Sequence, residues 1–362
     1  MSALDAPVLV SVRNRVGHLT LNRPEALNTL SLQMVRLLSQ QLQAWKHDPE
    51  IVAVVLRATG SKAFCAGGDI RALYDGYHAG DDSHLAFFEV EYALDMSIHT
   101  YPKPVVAVMD GFVLGGGMGL VQGADLRVIT ERTKMGMPET GIGYFPDVGG
   151  SYFLSRLPGE LGTYLGVTGT QARAADALYA RLADWCLSSD QLAEFDHRLD
   201  TLHWGAHPRE SLCALLSAMA AYKLPGSELK AMRPALDEHF AQSDLQAIRA
   251  SLLAETRPEF QDWAEETIRL LDSRSPLAMG VTLELLRIGR DLPLDACFAL
   301  EFHLASQWFA NGDFLEGVRA LIIDKDKSPR WNPQTLAELS PLRIAEFFRD
   351  DESVNQKSRR LA

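Results

Sequence analysis

Two short apolar runs, IVAVVLR at 51–57 and PVVAVM at 104–109, constrain this chain more than any other feature. A strand with one face in water alternates apolar and polar residues; a continuous run suits a strand covered on both faces. Covering both faces takes helices, and helical patterns lie near both runs. Met34, Leu37, Leu38, Leu42 and Trp45 recur at three- and four-residue steps, which predicts a helix over about 31–47. A second helical stretch, about 84–99, lies between the runs. Segments 7–12 and 16–21 are short and β-branched and read as a hairpin turned at Asn14 and Arg15. The recurring order strand, loop, helix predicts an α/β layer fold.

From about residue 170 the pattern changes to Ala, Leu, Glu, Gln and Arg at helical spacing, cut by Pro or Gly at 205–208, 225–226 and 275–276. The expected organisation is an α/β core over residues 1–200 and a mainly helical region over 201–362. No flexible linker and no internal repeat is visible. Of the residues, 47% are hydrophobic and 23% charged, which excludes a disordered chain. No run of about 18 apolar residues occurs, so no membrane-spanning helix is expected.

Lys and Arg number 35 against 47 Asp and Glu, for a net charge of -12 and no basic stripe. Nucleic acid is therefore not an expected partner, and an anionic ligand would need local cations and backbone N–H groups. Cys65, Cys186, Cys213 and Cys297 form no CxxC, and the His residues form no HExxH. They predict buried thiols in a reducing compartment and no metal site. The first residues carry neither a signal nor a transit pattern, which predicts a cytoplasmic location.

Three loops hold the chemistry: FCAGGDI at 64–70, DGFVLGGGMGL at 110–120 and MGMPETGIGYFPDVGG at 135–150. The first two follow strands, and Gly115-Gly116-Gly117 stands just before an expected helix. Glycines there expose backbone N–H groups that favour developing negative charge. Two such loops on neighbouring strands can each give one N–H to a single oxygen, forming an oxyanion hole. The simpler reading is ordinary turn punctuation. No segment fits GxGxxG, a phosphate loop with GK[ST], or GxSxG, which removes the dinucleotide, P-loop and serine-hydrolase readings. In the third loop Glu139 and Asp147 lie among apolar residues and glycines, where a carboxyl pKa rises toward the range useful for proton transfer. Helix capping, pairing with an Arg, or turn capping would place the same acids equally well.

Taken in order, LNRPEALNTL, FCAGGDIRAL, FFEVEYAL, DGFVLGGGMGL and MPETGIGYFPDVGGSYFLSRLPG resemble the crotonase (enoyl-CoA hydratase/isomerase) superfamily, more narrowly its 3-hydroxyisobutyryl-CoA hydrolase branch. GDFLEGVRALIIDKDKSPRWNP near the C-terminus resembles that branch too, so the likeness runs from about residue 16 to about 335. It implies a spiral of ββα repeats followed by helices, an acyl-CoA thioester as substrate, and no cofactor beyond the CoA that the substrate carries. It places the two oxyanion N–H groups on Gly68 and Gly116, and CoA contacts on Arg23, Ala26 and Leu27. It leaves a homo-oligomer open, since crotonase-fold proteins form trimers and the longer helical C-terminus here could cover that surface.

The hydratases of that superfamily use two glutamates. The first of those positions holds Gly119 and the second Glu139, so addition of water across a double bond lacks one acid. The hydrolase branch places its acids at Glu139 and Asp147, with Glu91 on the preceding helix as a substrate contact. The resemblance thus implies thioester hydrolysis, with 3-hydroxyisobutyryl-CoA from valine breakdown as the expected substrate. Glu139 acts there as nucleophile or as general base on water, and Asp147 holds the substrate hydroxyl or a water. The alternatives are a crotonase-fold isomerase or hydratase and a non-catalytic acyl-CoA-binding protein. Glu91 beside Glu89 reads equally well as a solvated helix face, and Asp69 reads as a loop cap.

Overall fold

A computed structural model describes residues 6–81, 83–220 and 223–349. Asn14 and Arg15 both take positive φ, 44° and 63°, and turn β1 (Val8–Arg13) back onto β2 (Val16–Leu21) as an antiparallel hairpin. Chain order continues through α1 (Leu32–Trp45), β3 (Ala53–Ala58), β4 (Ala63–Cys65), α2 (Ile70–Ala79) and α3 (Ser83–His99). Then come β5 (Val105–Met109), β6 (Phe112–Leu114), α4 (Gly116–Gln122), β7 (Leu126–Ile129) and β8 (Lys134–Gly136). They are followed by α5 (Gly150–Phe153), α6 (Leu161–Thr168), β9 (Ala172–Arg173), β10 (Trp185–Cys186) and helices to Phe347. The first strand of each repeat enters a six-stranded sheet ordered β1-β2-β3-β5-β7-β10, and the second a four-stranded sheet ordered β4-β6-β8-β9. Twice a helix follows directly, as β3-β4-α2 and β5-β6-α4. This is the expected α/β alternation of ββα repeats.

The apolar runs behave as their sequence requires. Val54, Val55, Val105 and Val106 are fully buried. Val55, Val106, Val108 and Val128 pack against Phe195, Leu199, Leu212 and Leu216 of the helices Leu192–Asp200 and Pro208–Met219. On the opposite face Trp45 of α1 lies over Gly17, where a Cβ would sit 2.5 Å from the indole. Ser31 caps α1 by accepting from the Met34 N–H at 3.3 Å.

The chain groups into two compact units, and neither is contiguous. The first comprises Met1–Gly68, Ala93–Met135 and Ala172–Glu228; the second comprises Asp69–Tyr92, Gly136–Gln171 and Leu229–Ala362. This differs from the expected split near residue 200. Helices 192–200 and 208–219 belong with the sheet that they cover, while residues 136–171 pack with the later helices. Within the second unit, for example, α6 presents Gly166 to Leu286 and Thr282 of the helix Pro276–Gly289. The breaks expected at 205–208 and 275–276 are helix starts with Pro208 and Pro276 in the first turn. No helix among the described residues is long and apolar enough to cross a membrane.

Candidate active site

In the first unit β4 and β6 run parallel, with Ala63 beside Phe112 and Cys65 beside Val113. The loops leaving their C-terminal ends therefore emerge side by side. A Cβ on Gly67, whose φ is +105°, would lie 3.4 Å from the Leu114 carbonyl and 3.9 Å from the Gly116 nitrogen; one on Gly117 would lie 2.5 Å from the Cys65 carbonyl. The glycines are required by this close approach of two backbones. The Gly116 N–H opens α4 and has no acceptor within its helix. Gly68 bridges Leu30, and the Leu30 N–H donates to the Gly67 carbonyl at 2.9 Å.

The segment 23–27 lies against the same loop. The Ala66 N–H donates to the Leu27 carbonyl at 3.1 Å, and buried Asn28 donates to the Ala63 carbonyl at 2.9 Å. Arg23 donates to the Thr29 carbonyl at 3.0 Å, Ala26 ends the short turn Pro24–Ala26, and Leu27 is exposed. The structure thus brings Arg23, Ala26, Leu27, Gly68 and Gly116 together within this unit. Asp69 is the cap that the sequence suggested, accepting from the Ala72 N–H at 3.3 Å.

The acids gather in the second unit. Pro138 leads into the short helical turn Glu139–Ile142, which Gly143 closes with φ 73°. Five residues after its end Asp147 opens another turn, its carbonyl accepting from the Gly150 N–H at 2.7 Å. From α3 the Tyr92 hydroxyl donates to Asp147 Oδ2 at 2.6 Å. Glu91, Glu139 and Asp147 are 2%, 7% and 5% exposed. Glu91 Oε1 and Glu139 Oε2 have no hydrogen-bond partner. The reading of Glu91 as a solvated helix face is thereby overturned.

Aromatic side chains explain the dryness. Tyr92 meets Phe298 and Phe302 with centroids 5.8 and 6.2 Å apart, and Tyr144 stacks on Phe145 at 4.4 Å and on Phe88 at 5.9 Å. Burial pushes the Asp147 carboxyl up to about 7, against the pull of the Tyr92 hydrogen bond. Burial, and then the charge of Asp147, raise Glu139 well above the usual carboxylate range. Glu91 is raised by burial and then by Asp147 and Glu139. Among the described residues no cation offsets these shifts. Like charges this close do not all ionise at neutral pH, so the cluster both holds and accepts protons.

Two members of this arrangement are absent from the sequence reading. Tyr92 is one. The other is Glu301 on the helix Leu294–Asn311, fully buried and accepting from the N–H groups of Gly149 (2.7 Å) and Ser151 (2.8 Å). A signal for it existed. Glu301 shares a helical stripe with Phe298, Leu304, Ala305 and Trp308, all buried, as Glu91 does with Phe87, Phe88, Leu94 and Ile98. A buried carboxylate on an apolar stripe is the pattern to look for. Among the described residues no group of three His, Cys, Asp or Glu side chains is placed to hold a metal ion.

Paired glycine loops on parallel strands in one unit, and a dry acid cluster in the other, are the parts of a crotonase-type acyl-CoA enzyme. The model of the enoyl-CoA hydratase/isomerase family matches residues 16–348, and the chain belongs to that family. It is 39% identical over 342 residues to the mitochondrial 3-hydroxyisobutyryl-CoA hydrolase of Gallus gallus, covering 92% of this chain and 86% of that one. It is 35% identical over 349 residues to the Homo sapiens protein of the same name, with 94% and 88% covered. Among solved structures, a carnitinyl-CoA dehydratase from Mycobacterium thermoresistibile superposes with TM-score 0.87 at 37% identity, covering 96% of this chain and 97% of that one. An enoyl-CoA hydratase from Rhodobacter sphaeroides 2.4.1 gives TM-score 0.86 at 36% identity, with 96% and 99% covered.

Proposed function

We propose that this chain hydrolyses acyl-CoA thioesters, and that its principal reaction converts 3-hydroxyisobutyryl-CoA and water into 3-hydroxyisobutyrate and CoA, a step of valine breakdown. The observation that carries the reading is the buried Glu139 carboxyl, raised in pKa and with one oxygen unpartnered, in a chain whose other hydratase position is Gly119. Gly119 lies buried in α4 and offers no proton-transfer group, so hydration of a double bond lacks its second acid. The names of the hydrolase relatives support the same choice over the dehydratase and hydratase for which the two solved structures are named.

In this reading the thioester carbonyl accepts from the N–H groups of Gly68 and Gly116, which stabilise the oxyanion by several kcal/mol in total, roughly 3–4 for each donor at most. Glu139 then follows one of two balanced routes. As general base it takes a proton from water, whose oxygen bonds to the carbonyl carbon before the C–S bond breaks and the CoA thiolate leaves with that proton. As nucleophile its carboxylate forms a mixed anhydride as the thiolate leaves, and water cleaves the anhydride to regenerate Glu139. Asp147 holds the substrate hydroxyl or the attacking water, Glu91 orients the acyl group, and Arg23, Ala26 and Leu27 take the adenine end of CoA.

The test is free-thiol release from 3-hydroxyisobutyryl-CoA, with crotonyl-CoA run in parallel. Wild-type protein is expected to release thiol and leave crotonyl-CoA unhydrated, and Glu139→Gln to lose at least about 100-fold in rate. Consumption of crotonyl-CoA without thiol release would overturn the reading, as would near-normal turnover in Glu139→Gln. Single turnover in ¹⁸O-water, with the label sought in Glu139, separates the two routes.

A further inference from the structure

Asp147 stands at the start of a turn that its own backbone resists. Val148 and Gly149, the next two residues, both take left-handed conformations, with φ 51° and 83°. A β-branched side chain rarely adopts that conformation, and it persists only where the surroundings over-determine it. The short helix α5 that follows has Gly149 as its cap residue, and Gly149 has no side chain with which to cap. The missing acceptor comes from far away in sequence. Glu301 Oε2 accepts from the Gly149 N–H at 2.7 Å, and Oε1 accepts from the Ser151 N–H at 2.8 Å and from the Ser151 hydroxyl at 2.5 Å. The Glu301 side chain is fully buried.

We propose that Glu301 is a positioning residue for the reaction: its carboxylate clamps the 149–151 backbone and so fixes where the Asp147 carboxyl points. The inference rests on the hydrolase reading for the part that Asp147 plays. Two of its contacts are backbone N–H donors and the third is the Ser151 hydroxyl, which can accept from the protonated acid or donate to the ionised one, so the clamp holds in the protonated form as well as in the ionised form. Burial works against the ionised form and pushes Glu301 up to about 8, opposed by Ser151 and the Gly149 N–H. The charge of Asp147 raises it further. The other titratable groups near it are Tyr92 of α3, Tyr144 on the loop before Asp147, and Cys297 one turn earlier on its own helix. Arg156 bears on Cys297, and no cation is among the groups that shift Glu301 or Asp147 themselves.

Glu301→Gln and Ser151→Ala test the clamp. Glu301→Gln, checked for folding by its thermal midpoint, is expected to lose at least tenfold in kcat with KM within about threefold. The Gly149 and Ser151 amides should exchange with solvent faster. A folded Glu301→Gln protein with wild-type kcat and wild-type amide exchange at Gly149 and Ser151 would overturn the proposal. If Glu301→Gln does not fold, Ser151→Ala removes only the hydroxyl contact and decides the matter. A smaller loss in kcat with faster exchange at Gly149 supports the clamp, and wild-type values for both overturn it. If wild-type protein releases no thiol from any acyl-CoA, the hydrolase reading fails separately. Titration of the Asp147 carboxyl by ¹³C NMR then tests the clamp without turnover, and an identical titration in Glu301→Gln overturns it.

Discussion

Replacing Tyr92 with Phe removes one hydroxyl and leaves the ring against Phe298 and Phe302, so it removes the 2.6 Å bond to Asp147 while keeping the packing. That bond is charge-assisted when Asp147 is ionised and then contributes about 1.5–3 kcal/mol. At about 1.4 kcal/mol per pH unit, its loss raises the Asp147 pKa by about one to two units. The starting value is about 7, reached because burial outweighs the Tyr92 contact. The acid limb of kcat/KM for thiol release should therefore move from near neutrality to about pH 8–9. At pH 7 the ionised fraction falls from about one half to about one tenth for a one-unit shift, or to about one hundredth for two. Activity there should drop about 5- to 50-fold and recover as pH rises. Asp147 and Glu139 interact, so the limb reports the pair; the lower step of the pair is the one expected to move. An acid limb that stays in place while kcat falls equally at every pH would refute the electrostatic argument and leave Tyr92 a packing role.

Asp147→Asn should abolish hydrolysis yet stabilise the fold at alkaline pH. The folded-state pKa of Asp147, about 7, lies above its ordinary value of 3.8, so its protonation stabilises the fold below pH 3.8. That contribution is lost as pH rises through about 7, and above it the buried carboxylate costs up to about 4 kcal/mol, about three units at about 1.4 each. Chemical denaturation at pH 5 and pH 8 should show the Asn variant gaining on wild type at the higher pH; a constant difference would contradict the raised pKa. Gly117→Ala places a methyl 2.5 Å from the Cys65 carbonyl and should cost about 1–3 kcal/mol by forcing β4 and α4 apart. A thermal midpoint equal to wild type would show that the loops have room to separate.

What the sequence made legible follows from how local each signal is. The buried strands Ala53–Ala58 and Val105–Met109, the hairpin and α1 announce themselves within a dozen residues, because burial on a strand or helix leaves a short-period imprint. The glycine loops were legible for a related reason: only glycine fits where two backbones pass as closely as Gly117 and Cys65 do. α2 was not read, although Ile70, Leu73, Tyr74 and Tyr77 stand at three- and four-residue steps; it is short, it contains Gly76, and Leu73 is its single buried residue. The grouping of residues 136–171 with the C-terminal helices was hidden as well, because it depends on contacts such as that between Gly166 and Leu286, whose partners are far apart in the chain.

The candidate site divides along the same line, and the division has a physical cause. Glu139 and Asp147 stand in a loop whose glycines and prolines advertise it, whereas the groups that hold Asp147 sit in helices that look ordinary. Tyr92 and Glu301 are separated from Asp147 by 55 residues and by roughly 150; Tyr92 stands in the FFEVEYAL segment with no role that the segment itself signals, and Glu301 belongs to no motif. Their role follows from burial: a carboxyl pushed up to about 7 in an aromatic pocket with no cation beside it can be held only by neutral donors and by a rigid backbone. Tyr92 supplies the donor and Glu301 the rigidity. An arginine beside Asp147 would bind the carboxylate more tightly and lower its pKa, and Glu139 would then face a permanent charge at neutral pH. Leaving the acids without a counter-ion keeps their protons exchangeable in the pH range where the thioester is attacked. The cost is a fold that is less stable when they ionise, and for that reason the stability advantage of Asp147→Asn should be complete just above pH 7, where wild-type activity has its acid limb, with the limb of Tyr92→Phe about one to two units higher.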